Sequence, residues 1–95
     1  MYNLSDAYRI EEEIDEAIRL LNKLRHPTFS IYDDGTSIYN EATIAVQRAV
    51  NHFEAFYSYA YEGYRFRHND YSLAKKANEM AIKYNRMLDL AEPQY

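Results

Sequence analysis

The residues of this sequence best suited to acid–base or metal chemistry are three histidines and a run of carboxylates. None of the histidines, His26, His52 and His68, has a carboxylate at a spacing that would orient the imidazole as a general base. The carboxylates between Glu11 and Glu16 spread around a predicted helix, and no glutamate has a histidine three residues after it, as a diiron bundle requires. Asp33-Asp34-Gly35 lacks the alternating oxygen ligands of a calcium loop. We therefore expect no catalytic residues, no metal site and no cofactor, and predict that the protein is not an enzyme.

Composition excludes several further classes of site. The sequence has no cysteine, which excludes disulfides, thiolate zinc sites and cysteine nucleophiles and fits a reducing compartment. With only Gly35 and Gly63, it cannot form a glycine-rich phosphate loop. No segment approaches the roughly 18 consecutive apolar residues of a membrane span, and the N-terminus has no basic-then-apolar signal pattern. These features predict a cytoplasmic protein without a membrane partner.

The length and composition of the chain predict a single domain over residues 1–95. Charge is distributed unevenly along this domain. The net charge is −4; residues 1–47 carry nine acidic and four basic side chains, whereas residues 48–95 carry six and seven. Such a surface repels phosphate backbones, so it disfavours nucleic-acid binding and favours a basic protein partner. Eleven tyrosines add side chains that are enriched at protein interfaces.

Apolar periodicity predicts a mainly α protein, a three-helix bundle. Residues 3–25, 40–67 and 71–91 each repeat apolar side chains at spacings of three and four. Asn3 or Ser5 can cap the first helix, Asn40 the second and Asp70 the third. The second helix would be about 42 Å long and the others about 34 and 30 Å, so we expect its C-terminal end, which carries Tyr61, to overhang its neighbours.

The segment between the first two helices has a different pattern. Residues 28–32 and 36–39 are rich in β-forming residues and flank the Asp33-Asp34-Gly35 turn, which predicts a short β-hairpin over about residues 28–39. An ordered loop packed on the helices remains the alternative, because pairing the two halves would place apolar residues on both faces.

Residues 70–85 resemble the second helix of a tetratricopeptide repeat through the run Asp-Tyr-Ser-Leu-Ala to Met-Ala-Ile-Lys-Tyr-Asn. The resemblance covers one helix. The upstream half lacks the Trp, Leu and Gly spacing of that repeat, and the sequence contains no second copy, so no family is assigned.

One stripe of the second helix mixes aromatic rings with charges and suits a contact surface as well as a core margin. Interfaces favour Tyr, Phe, His and Arg over Lys and Glu. We combine this stripe with the acidic residues of the N-terminal half as a candidate partner-binding site. Its residues are Glu12, Asp15, Glu16, Asp33, Asp34, Arg48, His52, Tyr59, Tyr61, Glu62 and Phe66.

These features predict a small, acidic, tyrosine-rich, non-enzymatic protein-interaction module. In size, acidity and lack of motifs it is similar to the inhibitors that phages and mobile elements make against host defence enzymes, such as anti-CRISPR proteins, although it shares no motif with them. The resemblance implies an inhibitor that blocks a basic nucleic-acid-binding surface of a partner protein. One alternative is a structural or scaffolding protein that self-associates, as a homodimer for example, through the second helix. The other is a small nucleic-acid-binding protein that uses the aromatic and basic residues between Tyr61 and His68.

Overall fold

The computed structural model of the protein describes residues 2–25, 35–65 and 71–92. Three helices make up nearly all of them: α1 (Leu4–Arg25), α2 (Gly35–Arg65) and α3 (Tyr71–Ala91). Each helix packs against both of the others, and the described ranges contain no strand. The predicted three-helix bundle is confirmed.

Asn3 and Asp6 cap the N-terminus of helix α1 by hydrogen-bonding to each other's backbone. The backbone N–H of Asp6 donates to Asn3 Oδ1 at 3.0 Å, and the backbone N–H of Asn3 donates to Asp6 Oδ2 at 2.9 Å. This is the capping-box arrangement, which satisfies two N–H groups that the first helical turn leaves unpaired. At the other end, Arg25 Nη2 donates to the backbone carbonyl of Leu90 at 3.2 Å, so the C-terminal ends of α1 and α3 lie together.

Helix α2 begins five residues earlier than predicted, at Gly35 instead of Asn40. Residues 36–39, expected to form the second half of a hairpin or an ordered loop, are helical, and Thr43 Oγ1 donates to the Tyr39 carbonyl one turn earlier at 2.9 Å. Ile38 is partly buried and Ala42 is buried, so helical spacing places this segment on the core, and that packing outweighs the β-propensity of its side chains. Residues 28–34 lie outside the described residues.

The core lies along the common axis of the three helices. Its largest fully buried side chains are Ile10 and Ile14 of α1, Phe56 of α2, and Met80 and Met87 of α3. Each such side chain contributes about 1.5–3 kcal/mol through removal of apolar surface from water. The inward stripes predicted for the three segments therefore face one another.

Relative to α3, the extra length of α2 lies at its N-terminal end, so the predicted C-terminal overhang is not seen on that side. The Tyr57 phenol donates to Asn78 Oδ1 at 3.3 Å, which places Arg65 level with the first turn of α3. At the opposite end, Ala91 lines the same groove as Val46 and Gln47, so the turns before Ala42 extend past α3. Relative to α3, α2 therefore extends at its N-terminal end. Relative to α1, it continues beyond Tyr59, which contacts Tyr2 just before the first residue of α1.

None of the three helices, over the residues described, is both long and apolar enough to cross a membrane.

Candidate partner-binding surface

The predicted site residues divide among three sides of the bundle. Asp15 lies between α1 and α3, where it pairs with Lys83. Glu12, Glu16, Arg48 and His52 line a groove between α1 and α2. Tyr61 lies beside Tyr57, which reaches across to α3. Asp33, Asp34 and Phe66 lie outside the described residues. The structure therefore does not gather these residues into one patch.

On the α1–α3 side, the carboxylates of α1 are compensated within the chain. Lys76 Nζ donates to both oxygens of Glu11 at 3.1 and 3.2 Å, and the two side chains are only 17% and 18% exposed. Lys83 Nζ lies 3.2 Å from Asp15 and 3.6 Å from Glu11, and its hydrogen bond to Asp15 is the main reason that the pKa of Lys83 is raised. Asp15 is thus paired with α3 and is not an uncompensated charge for a partner.

The α1–α2 side carries an open groove in two connected parts, which we call the α1–α2 groove. The first part, of about 200 Å³, is lined by Arg9, Glu12, Glu13, Glu16, Ala45 and Arg48. The second, of about 510 Å³, is lined by Tyr2, Arg9, Ile10, Glu13 and His52. Arg9 and Glu13 belong to both parts, so the groove is continuous and carries charges of both signs.

A histidine–carboxylate pair crosses this groove. His52 Nδ1 lies 2.7 Å from Glu13 Oε2, and the imidazole is about half exposed. The sequence analysis found no carboxylate to orient His52, because Glu13 lies 39 residues away on another helix and only the packing of α1 on α2 brings the two together. The pair links the two helices through a hydrogen bond between the imidazole and a carboxylate.

The remaining carboxylates of the groove are exposed. Glu16 accepts two hydrogen bonds from the Arg19 guanidinium one turn later, and the pKa of Glu16 is lowered chiefly by those bonds. Both partners are about half exposed, so this pair exchanges readily with other ions. Glu12 is exposed, and no ion pair within the described residues includes it. Among the three glutamates of the groove, Glu13 pairs with His52 and Glu16 with Arg19, whereas Glu12 has no such partner among the described residues.

Two candidate tyrosines have different environments. Tyr59 is partly buried, with its ring centroid 5.3 Å from that of Tyr2, which in turn packs edge-on against the buried Phe56 at 5.5 Å. Tyr61 is 53% exposed and stacks on Tyr57, with centroids 6.1 Å apart and planes inclined by 6°. Tyr59 therefore belongs to the margin of the core, whereas Tyr61 presents aromatic surface to solvent.

The rest of the mixed stripe of α2 lies open. Arg48, Ala55 and Glu62 are exposed at intervals of two helical turns, and no ion pair among the described side chains includes Arg48 or Glu62. The stripe is thus partly core margin, through Tyr59, and partly free surface. Within residues 2–25, 35–65 and 71–92, no three potential metal ligands lie together.

Comparisons with protein-family models, with curated proteins and with solved structures find no significant match to this chain.

Proposed function

We propose that this protein is a non-enzymatic interaction module that binds the basic surface of another protein through the α1–α2 groove. The observation that carries the proposal is the exposed carboxylate of Glu12, which has no ion-pair partner among the residues that the structure describes, beside the exchangeable Glu16–Arg19 pair. On α1, Glu11 and Asp15 pair with Lys76 and Lys83 of α3, whereas Glu12 on the α1–α2 side is exposed and belongs to no ion pair among the described residues.

The geometry of the groove supports a protein partner. Glu12 and Glu16 are one turn apart, about 6 Å along the axis of α1, and both project beside the exposed side of α2. An arginine or lysine of a partner can bind either carboxylate, and Arg48 on the opposite wall favours a partner that also offers an acceptor. Charge arranged in this way increases the association rate and the specificity of binding more than its final affinity.

The finer proposal is that this binding inhibits the partner. A carboxylate surface that covers a basic nucleic-acid-binding groove competes directly with phosphate. This is how an anti-CRISPR-like inhibitor from a phage or mobile element would act, and it is proposed here on charge and size alone.

Affinity capture tests the proposal. Immobilised protein is expected to retain a protein with a basic nucleic-acid-binding surface from an extract of its source or host cells. The Glu12→Lys/Glu16→Lys double variant should lose that protein, and the matched variant Glu79→Lys, which reverses an exposed charge on α3, should retain it. Elution by moderate salt and competition by a duplex oligonucleotide are the further expected results.

One result would reject the proposal, and a second would reject only its inhibitory part. One is retention of the same partner by the groove variant and by the α3 variant alike. The other is retention that persists unchanged in the presence of excess oligonucleotide, which would reject the inhibitory part only. Circular dichroism of each variant checks that the helices are intact.

A further inference from the structure

The outer face of α2 differs in character from the outer faces of the other two helices. Exposed charges alternate along α1, through Arg9, Glu12 and Arg19, and along α3, through Lys75, Glu79 and Arg86. On α2 the exposed stripe between Arg48 and Glu62 is uncharged, at Asn51, Ala55 and Ser58, and the exposed His52 and Glu54 lie on its two flanks. Depletion of charge is the compositional mark of the centre of an interface.

The two charges on this stripe are placed symmetrically. Arg48 and Glu62 each lie seven residues from Ala55, which is about 10.5 Å along the axis in either direction. Seven residues return to nearly the same angle around a helix, so all three side chains share one face. Rotation by 180° about an axis through Ala55 would exchange the positions of the positive and the negative charge.

We infer that the outer face of α2 binds a second copy of this chain in an antiparallel, twofold-symmetric contact centred on Ala55. In this arrangement Arg48 of one protomer faces the partner's Glu62, and the same pair forms again on the other side of the axis. A closed twofold dimer requires such a self-complementary surface. A parallel arrangement would instead place arginine against arginine and glutamate against glutamate.

The shape of the face agrees with this arrangement. Ala55 lies at the centre, and its methyl group is the smallest side chain on the stripe. Two helices can therefore approach closely at this point. Next to Arg48 the surface forms a shallow depression of about 430 Å³ whose walls include Ile44, Gln47 and Asn51. The antiparallel register places the partner's Glu62 beside Arg48, at the edge of this depression.

Charge reversal tests the register. Arg48→Glu and Glu62→Arg should each weaken self-association about tenfold or more, because each substitution places like charges together at both symmetric contacts. The double variant Arg48→Glu/Glu62→Arg should regain the wild-type dissociation constant. An equimolar mixture of the two single variants should form a heterodimer, because both of its contacts again join opposite charges. Glu79→Arg on α3 is the matched control and should leave association unchanged.

Cysteine crosslinking tests the centre of the contact, and the natural sequence offers a cysteine-free background. Only residue 55 faces its own copy in this register, so Ala55→Cys should form an interchain disulfide under mild oxidation. Ile82→Cys, on the exposed side of α3, should not.

Sedimentation equilibrium of the purified full chain gives the deciding measurement. A chain that remains monomeric up to about 1 mM would overturn the inference, as would a dimer that neither charge reversal affects. These experiments involve the protein alone, so their failure leaves the proposed capture of a basic partner by Glu12 and Glu16 untouched, and the reverse also holds.

Discussion

Tyr84 of α3 provides a direct test of how α2 and α3 pack. Its side chain is 9% exposed, its ring centroid lies 4.4 Å from that of Phe53, and its phenol donates to Glu54 Oε1 at 3.1 Å. Burial, reinforced by the hydrogen bond to Glu54 and by the charge of that carboxylate, raises the pKa of Tyr84 from 10.0 to about 12. The ionised phenolate is therefore disfavoured in the folded chain relative to the unfolded chain.

This shift links the free energy of unfolding to pH. Because the folded chain keeps the Tyr84 proton to a higher pH than the unfolded chain does, the contribution of this group to stability is complete below pH 10.0 and is lost as pH rises towards about 12. A shift of about two pKa units corresponds to about 2–3 kcal/mol in total. The loss proceeds at up to about 1.4 kcal/mol per pH unit between the two values.

The substitution Tyr84→Phe keeps the ring and removes the titrating group. At pH 8 the variant should be about 1 kcal/mol less stable than the wild type, since it loses one hydrogen bond to a carboxylate at the edge of the core. Above pH 10 the wild type should lose stability faster than the variant, so the gap between them should close and then reverse. Urea unfolding followed by circular dichroism at several pH values from 8 to about 11.5 measures both curves.

The matched control is Tyr61→Phe, which removes an exposed phenol from the neighbouring helix. Its stability should run parallel to that of the wild type at every pH. If the difference between wild type and Tyr84→Phe stays constant up to about pH 11.5, the linkage argument is wrong and the phenol of Tyr84 is not held as described.

Three further substitutions test the fold. Phe56→Ala removes a fully buried ring and should lower the free energy of unfolding by about 3–5 kcal/mol, whereas Ile82→Ala on the exposed side of α3 should change it by less than about 0.5 kcal/mol in the same denaturant titration. Glu11→Gln removes the carboxylate that pairs with Lys76 and lies 3.6 Å from Lys83, and should cost about 1 kcal/mol at low salt and less at about 1 M NaCl, while Glu12→Gln should have little effect at either salt concentration. Asp6→Ala removes half of the α1 capping box and should lower the free energy of unfolding by about 1 kcal/mol, with increased amide exchange confined to the first turn of α1.

Much of the helical architecture was predictable because its causes are local. The spacing of apolar residues at three and four positions predicted α1 and α3 to within one residue of their observed ends, and of the two caps predicted for α1, Asn3 or Ser5, the structure shows Asn3. The exception is the start of α2. Residues 36–39 have β-forming side chains, and only the burial of Ala42 and partial burial of Ile38 against the other helices show why they are helical.

The candidate site was less predictable, because its composition depends on how the helices are rotated and aligned against one another. The sequence indicated that Glu11, Glu13 and Asp15 lie on one acidic helix. It could not indicate that lysines of α3 compensate the first and last of these or that His52 of α2 binds the middle one. Each of these pairs joins residues at least 39 positions apart.

Periodicity and composition are properties of the chain alone, so they predict three amphipathic helices, an excess of acidic side chains in the N-terminal half and an abundance of tyrosine. The packing of the helices sets which carboxylates are paired with lysines, and it leaves Glu12 accessible in the α1–α2 groove. It also sets which face of α2 remains uncovered. The physical reason is that a side chain's charge is set by its type, whereas its pairing and exposure are set by the neighbouring helices that packing brings against it.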